Sequence, residues 1–100
     1  MEEYNKLVRD KIPKILDEKG VPYEKRIASI EEYKEALIRK LNEEVGEFLT
    51  EKSPKELADV IEVIGALKKL TGFERVEELR VKKFEARGGF EQRIILKGEK

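Results

Sequence analysis

From Ile30 to Phe48 the apolar residues Ile30, Tyr33, Leu37, Leu41, Val45 and Phe48 recur every three or four positions. At about 100° per residue they fall on one stripe, which predicts an amphipathic helix. Ser29-Ile30-Glu31-Glu32 opens it with the Ser-x-x-Glu spacing of a capping box, and the pattern carries it to about Thr50. Ser53-Pro54-Lys55-Glu56 repeats the device, with proline at the first helical position, and a third helix follows to Thr71-Gly72. Its apolar residues, Leu57, Ala58, Val60, Ile61, Val63, Ile64, Ala66, Leu67 and Leu70, cover most of its circumference. Two long helices joined by two or three residues run antiparallel. A helix apolar nearly all round needs neighbours on every side, and a chain of 100 residues supplies few. The expectation is a bundle completed by a second subunit.

The flanks are less regular. Tyr4 to Lys19 reads as a first helix, interrupted or begun anew near Pro13, with Gly20 as its C-terminal stop. A fourth helix is expected from near Phe73 to Gly88-Gly89. Residues 23–28 and 92–97 suit short strands that pair in a small β-ribbon. The predicted fold is therefore all-α: an antiparallel bundle of about four helices in a single domain spanning residues 1–100, with that ribbon beside it.

Composition narrows the chemistry. There is no cysteine and no histidine, so disulfide scaffolds, thiolate metal sites and His-dependent triads are excluded. Charged residues make up 44% of the chain but balance at 22 acidic and 22 basic, leaving no net field toward nucleic acid or an anionic membrane. No apolar run approaches a membrane span and no signal peptide is visible at Met1-Glu2-Glu3, so a cytoplasmic chain is expected.

The acids stand out once placed on the helices. Glu44 projects inside the stripe of the second helix, between the directions of Tyr33 and Leu37, with Glu47 at its flank one turn on. In the third helix Glu56 points between Val63 and Leu67, and Asp59 sits at the arc's edge beside Leu70. A buried ionised carboxylate is costly unless paired or bound to metal. Two such i, i+3 pairs facing each other make an all-oxygen cage suited to Mg²⁺ or Mn²⁺. The plainer alternatives are that Glu56 only completes the Ser53 capping box, and that Glu43, Glu44 and Glu47 form a solvated face beside Arg39 and Lys40. In the fourth helix Lys83 and Arg87 share a face with Val76 and Leu79, so two cations lie on the side expected to pack inward. They would either neutralise the acids or meet phosphate. Lys6, Arg9 and Lys11 add cations near the N-terminus, as surface charges or further phosphate contacts.

Glu43-Glu44-Val45-Gly46-Glu47 followed by Glu56-Leu57-Ala58-Asp59 resembles the EExxE…ExxD signature of the MazG-like, all-α nucleoside triphosphate pyrophosphatases. The opening YNKLVRDKIP (Tyr4 to Pro13) and the closing KKFEARGGF (Lys82 to Phe90) resemble the branch called phosphoribosyl-ATP pyrophosphohydrolase-like, so the likeness runs from Tyr4 to about Leu96. The resemblance implies a Mg²⁺-dependent hydrolase that cleaves between the α- and β-phosphates of a nucleotide and releases pyrophosphate. It implies Glu44, Glu47, Glu56 and Asp59 as metal ligands, with Glu44 or Glu47 as the base, and Glu43 as a supporting residue. Lys83 and Arg87 match the family's basic positions and would hold phosphate, with Lys6 and Arg9 beside them. The family usually builds its bundle across subunits, which implies a homodimer or homotetramer. Only eight residues separate Glu47 from Glu56, which leaves no long loop there to read a base. Candidates to line a base pocket are Tyr4, Tyr33, Phe48, Phe84 and Phe90. The substrate would be a canonical or damaged nucleoside triphosphate, or else phosphoribosyl-ATP. A reading of a different class is a catalytically silent helical dimerisation or regulatory module, its inward acids paired with Lys83 and Arg87.

Overall fold

Serine hydroxyls start both long helices. Ser29 Oγ accepts the Glu32 N–H at 3.2 Å and Ser53 Oγ accepts the Glu56 N–H at 3.3 Å, each satisfying an amide that the first helical turn leaves open. In the computed structural model, which describes residues 5–99, these caps begin α2 (Ile30–Glu51) and α3 (Pro54–Lys68). A shorter α1 (Ile12–Glu18) precedes them and α4 (Val76–Arg87) follows. The architecture is all-helical, as the periodicity predicts.

Lys52 ends α2 in the left-handed conformation (φ 53°), its N–H bonded to the Phe48 carbonyl at 2.7 Å, and Ser53 caps α3 directly afterwards. That turn folds α2 and α3 into an antiparallel hairpin, the one helix pair with an extensive interface among the described residues. Its seam is built from Leu37, Val60, Val63 and Leu70, with Tyr33, Leu41, Ala66 and Leu67 packed alongside. Phe73 folds back onto the same cluster, with the Lys34 ammonium 5.2 Å from its ring centroid.

The flanks depart from expectation in two places, while α1 begins anew at Ile12 beside Pro13, one of the two courses the sequence allows; Tyr4 lies outside the described residues. Pro13 dictates this, because its ring would collide with the Arg9 carbonyl if the helix continued upstream. Leu7 instead packs against the hairpin core from an irregular segment. The β-ribbon is not formed: residues 23–28 and 92–97 contain no strand. Arg93 adopts φ 57°, which breaks the second extended run, while Arg26 is drawn to Glu32 through two 2.6 Å hydrogen bonds. A lone two-stranded ribbon has little stability to oppose these local preferences. Lastly, α4 starts at Val76 because Phe73 is committed to the core, and it buries none of its residues.

Much apolar surface stays open. On α3, Leu57, Ile61 and Ile64 form an exposed i, i+4, i+7 row, and beyond α4 Phe90, Ile95 and Leu96 are each at least 90% exposed. The accessible surface is 9852 Å², against about 5,900 Å² for a compact monomer of this mass. The radius of gyration, 18.1 Å, likewise exceeds the roughly 13 Å of a compact 100-residue domain.

Two substitutions test this account. Ser53→Ala should cost about 1 kcal/mol through the lost cap. Leu37→Ala, at the most buried seam position, should cost about 3 kcal/mol, both read from urea denaturation midpoints at a fixed protein concentration.

Candidate functional site

The hairpin brings three carboxylates to its seam. Glu44, in the last third of α2, is only 8% exposed although it carries a charge. Glu56 in the first turn of α3 and Asp59 one turn later are half-buried opposite it. One carboxylate oxygen from each of the three lies within 4.8 Å of the others. The Ser53 cap is part of this placement. It receives the Glu56 backbone N–H, while the Glu56 carboxylate lies in the acidic group and makes no hydrogen bond back to the cap. Only half of the capping box is formed, which answers the plainer reading of Glu56.

The cluster is incompletely neutralised. Lys40, one turn before Glu44 on α2, places its ammonium 3.5 Å from Glu44 Oε1 and 3.8 Å from Glu43 Oε1. Arg9 donates to Asp59 Oδ1 at 2.9 Å, and Lys6 lies 3.4 Å from Glu43. Glu44 Oε2 is buried with no hydrogen-bond partner. Burial chiefly, and then the charges of Glu47 and Asp59, push the Glu44 carboxyl above its ordinary value, with Lys40 opposing. A buried oxygen lacking a donor, in a residue grouped with two further carboxylates, is an electrostatically costly arrangement. Three hard oxygen donors match the preferences of Mg²⁺ or Mn²⁺ and leave other coordination positions to water or phosphate.

Glu47 is not part of the three-carboxylate group. It is exposed, and with Glu43, Gly46, Thr50, Glu51 and Glu56 it lines an adjoining open cavity of about 500 Å³. Lys83 and Arg87 are exposed on α4, and no ion pair joins either to the acids among the described residues. The inward-facing side expected for them lies open. Two of the three α4 glutamates are paired locally, Glu77 to Arg80 and to Lys68 of α3, and Glu78 to Arg75 and Lys82, which satisfies these charges without burying the helix. Of the aromatic candidates, Tyr33 packs on the core and Phe48 is half-buried, while Phe84 and Phe90 are exposed; Tyr4 lies outside the described residues. Sequence reasoning set Lys40 aside as part of a solvated face, yet its i, i+4 spacing from Glu44 was the available signal. The Arg9–Asp59 pair, between residues 50 positions apart, carried no such signal.

No protein-family model matches this chain, and neither a curated protein nor a solved structure matches it. No described helix is long and apolar enough to cross a membrane.

Replacing the buried charge by its neutral isostere should stabilise the metal-free protein. In EDTA, Glu44→Gln is expected to raise Tm by roughly 4 °C or more. The pH dependence has a definite sign. A carboxyl whose folded pKa is raised contributes nothing adverse while both states are protonated. It destabilises progressively as pH climbs from its ordinary 4.5 through the raised folded value. The gap in Tm between variant and wild type should therefore widen with pH over that window, as followed by circular dichroism melts.

Proposed function

We propose that this chain is a cytoplasmic, Mg²⁺-dependent nucleotide pyrophosphohydrolase of the MazG-like kind. It would cleave the α–β phosphoanhydride of a nucleoside triphosphate, or of phosphoribosyl-ATP, and release pyrophosphate. The observation that carries this reading is the meeting of Glu44, Glu56 and Asp59 at the hairpin seam with a partnerless buried oxygen among them. The EExxE…ExxD resemblance supplies the reaction class.

Glu44, Glu56 and Asp59 would hold the cation. When bound, Mg²⁺ (Mn²⁺ serves the same donors) neutralises phosphate oxygens and acidifies a water. Glu47 stands exposed on the wall of the adjoining cavity, free to take the proton of the attacking water. The water oxygen bonds to the α-phosphorus, the bridging P–O bond breaks, and its electron pair leaves with pyrophosphate. Glu44, buried and oriented by Lys40, is the less accessible of the two candidate bases. Glu43 holds Lys6 and Lys40 at the cavity edge. Lys6 and Arg9 are the phosphate-binding cations already beside the cluster.

The assembly we propose is a homodimer or homotetramer. The accessible surface exceeds that of a compact monomer by roughly 4,000 Å², several times the area each partner contributes to a standard interface. A second copy over the Leu57, Ile61 and Ile64 row would cover part of that excess. It would also make α4 of one copy the element able to carry Lys83 and Arg87 to the acids of the other. The ion pairs Lys40–Glu44 and Arg9–Asp59 favour one other reading, a silent helical module in which these contacts are purely structural.

Pyrophosphate release from a panel of nucleoside triphosphates and phosphoribosyl-ATP separates the two. Turnover should require Mg²⁺, vanish in EDTA and fall about a hundredfold or more in Glu44→Gln. No turnover on any substrate, with a Tm indifferent to Mg²⁺, would decide for the silent module.

A further inference from the structure

The irregular segment before α1 crosses the hairpin at the acidic cluster and is tied to both helices. Leu7 is seated against the hydrophobic core. On one side Lys6 meets Glu43 of α2, and on the other Arg9 meets Asp59 of α3. The Arg9 carbonyl accepts the Ile12 N–H at 3.1 Å, which fixes the backbone where it turns into α1. The backbone at Arg9 is thus held from both directions, while its side chain, paired with Asp59, is more than half exposed. That side chain ends on the carboxylate that belongs to the three-acid group.

We propose that Arg9 is an exchangeable counterion that links the two halves of substrate capture. It neutralises Asp59 in the metal-free protein, and a divalent cation displaces it to a phosphate. The inference rests on the metal reading given above. Its physical basis is a conflict for one group. A guanidinium 2.9 Å from Asp59 Oδ1 already engages the carboxylate whose negative charge a divalent cation at Glu44, Glu56 and Asp59 would require. Two positive centres on one half-buried carboxylate repel each other, and the divalent ion, with three anionic donors, wins. The displaced guanidinium keeps its tether beside the cluster. Its planar fork of donors then matches a phosphate that the cation has drawn in. Metal must load first, and a nucleotide without metal finds Arg9 already engaged.

Exchange demands effects of opposite sign on two ligands, which a merely structural strap would not give. Mn²⁺ binding is read from the electron paramagnetic resonance of the free ion. Pyrophosphate binding is read by calorimetry with and without saturating Mg²⁺. In Arg9→Gln, Mn²⁺ should bind about threefold tighter, the worth of one exposed ion pair removed from competition. Pyrophosphate in the presence of Mg²⁺ should bind at least about tenfold more weakly. In wild type, pyrophosphate affinity should depend on Mg²⁺, and Arg9→Lys should return Mn²⁺ affinity to the wild-type level. If wild type binds Mn²⁺ but Arg9→Gln binds it equally or less tightly, the exchange is overturned and the metal centre stands. If wild type binds no Mn²⁺, both fall together.

Discussion

The buried carboxylate of Glu44 governs how the rest of the molecule has to be arranged. It lies in a seam made otherwise of leucine and valine, with one oxygen near Lys40 and the other without a donor. Desolvating such a charge is tolerable only where positive charge collects around it. The chain meets this demand piecemeal. Lys40 comes from the preceding turn of the same helix, and Arg9 reaches over from an irregular segment to quiet the neighbouring Asp59. Glu56, held at the head of α3 by the Ser53 cap, adds more negative charge than these two cations offset. The hairpin is therefore packed around three carboxylates that Lys40 and Arg9 only partly offset, the feature on which the proposed cation site rests.

Which parts of this were legible follows from which interactions are periodic. Ser29 and Ser53 announced their helices because capping acts within four residues. Glu44, Glu56 and Asp59 could be placed on inner faces because helical period alone sets their directions. Glu47 is three residues from Glu44 and so is rotated by about 60° from it. That is enough to carry it from the seam to the cavity wall. The start of α1 near Pro13 was legible because the collision between the proline ring and the Arg9 carbonyl is a local rule. The ribbon failed on two local matters, the positive φ of Arg93 and the attachment of Arg26 to Glu32, neither visible as a break in hydropathy. Pairing between Arg9 and Asp59 joins a segment without regular structure to a helix, and no repeat in the chain encodes such a contact.

The fourth helix shows the limit of reasoning from faces. Val76, Leu79, Lys83 and Arg87 do share a direction, yet a shared direction is not a destination. Glu77 and Glu78 find partners three or four residues away or on Lys68, and solvent satisfies the remainder. The apolar row on α3 is the reverse case. Leu57, Ile61 and Ile64 are only partly covered by the described residues and together leave an apolar row open.

The two-residue link between α2 and α3 has a consequence for the order of events when the chain folds. Glu44 is 12 residues from Glu56 and 15 from Asp59, separated by Lys52 and Ser53 at the bend. Closing so short a loop is entropically cheap, so these acids meet early, before α1 or α4 can contribute. Their mutual repulsion is then part of the barrier to folding. A divalent cation held as proposed would lower that barrier, and so would act on how fast the hairpin forms more than on how slowly it comes apart.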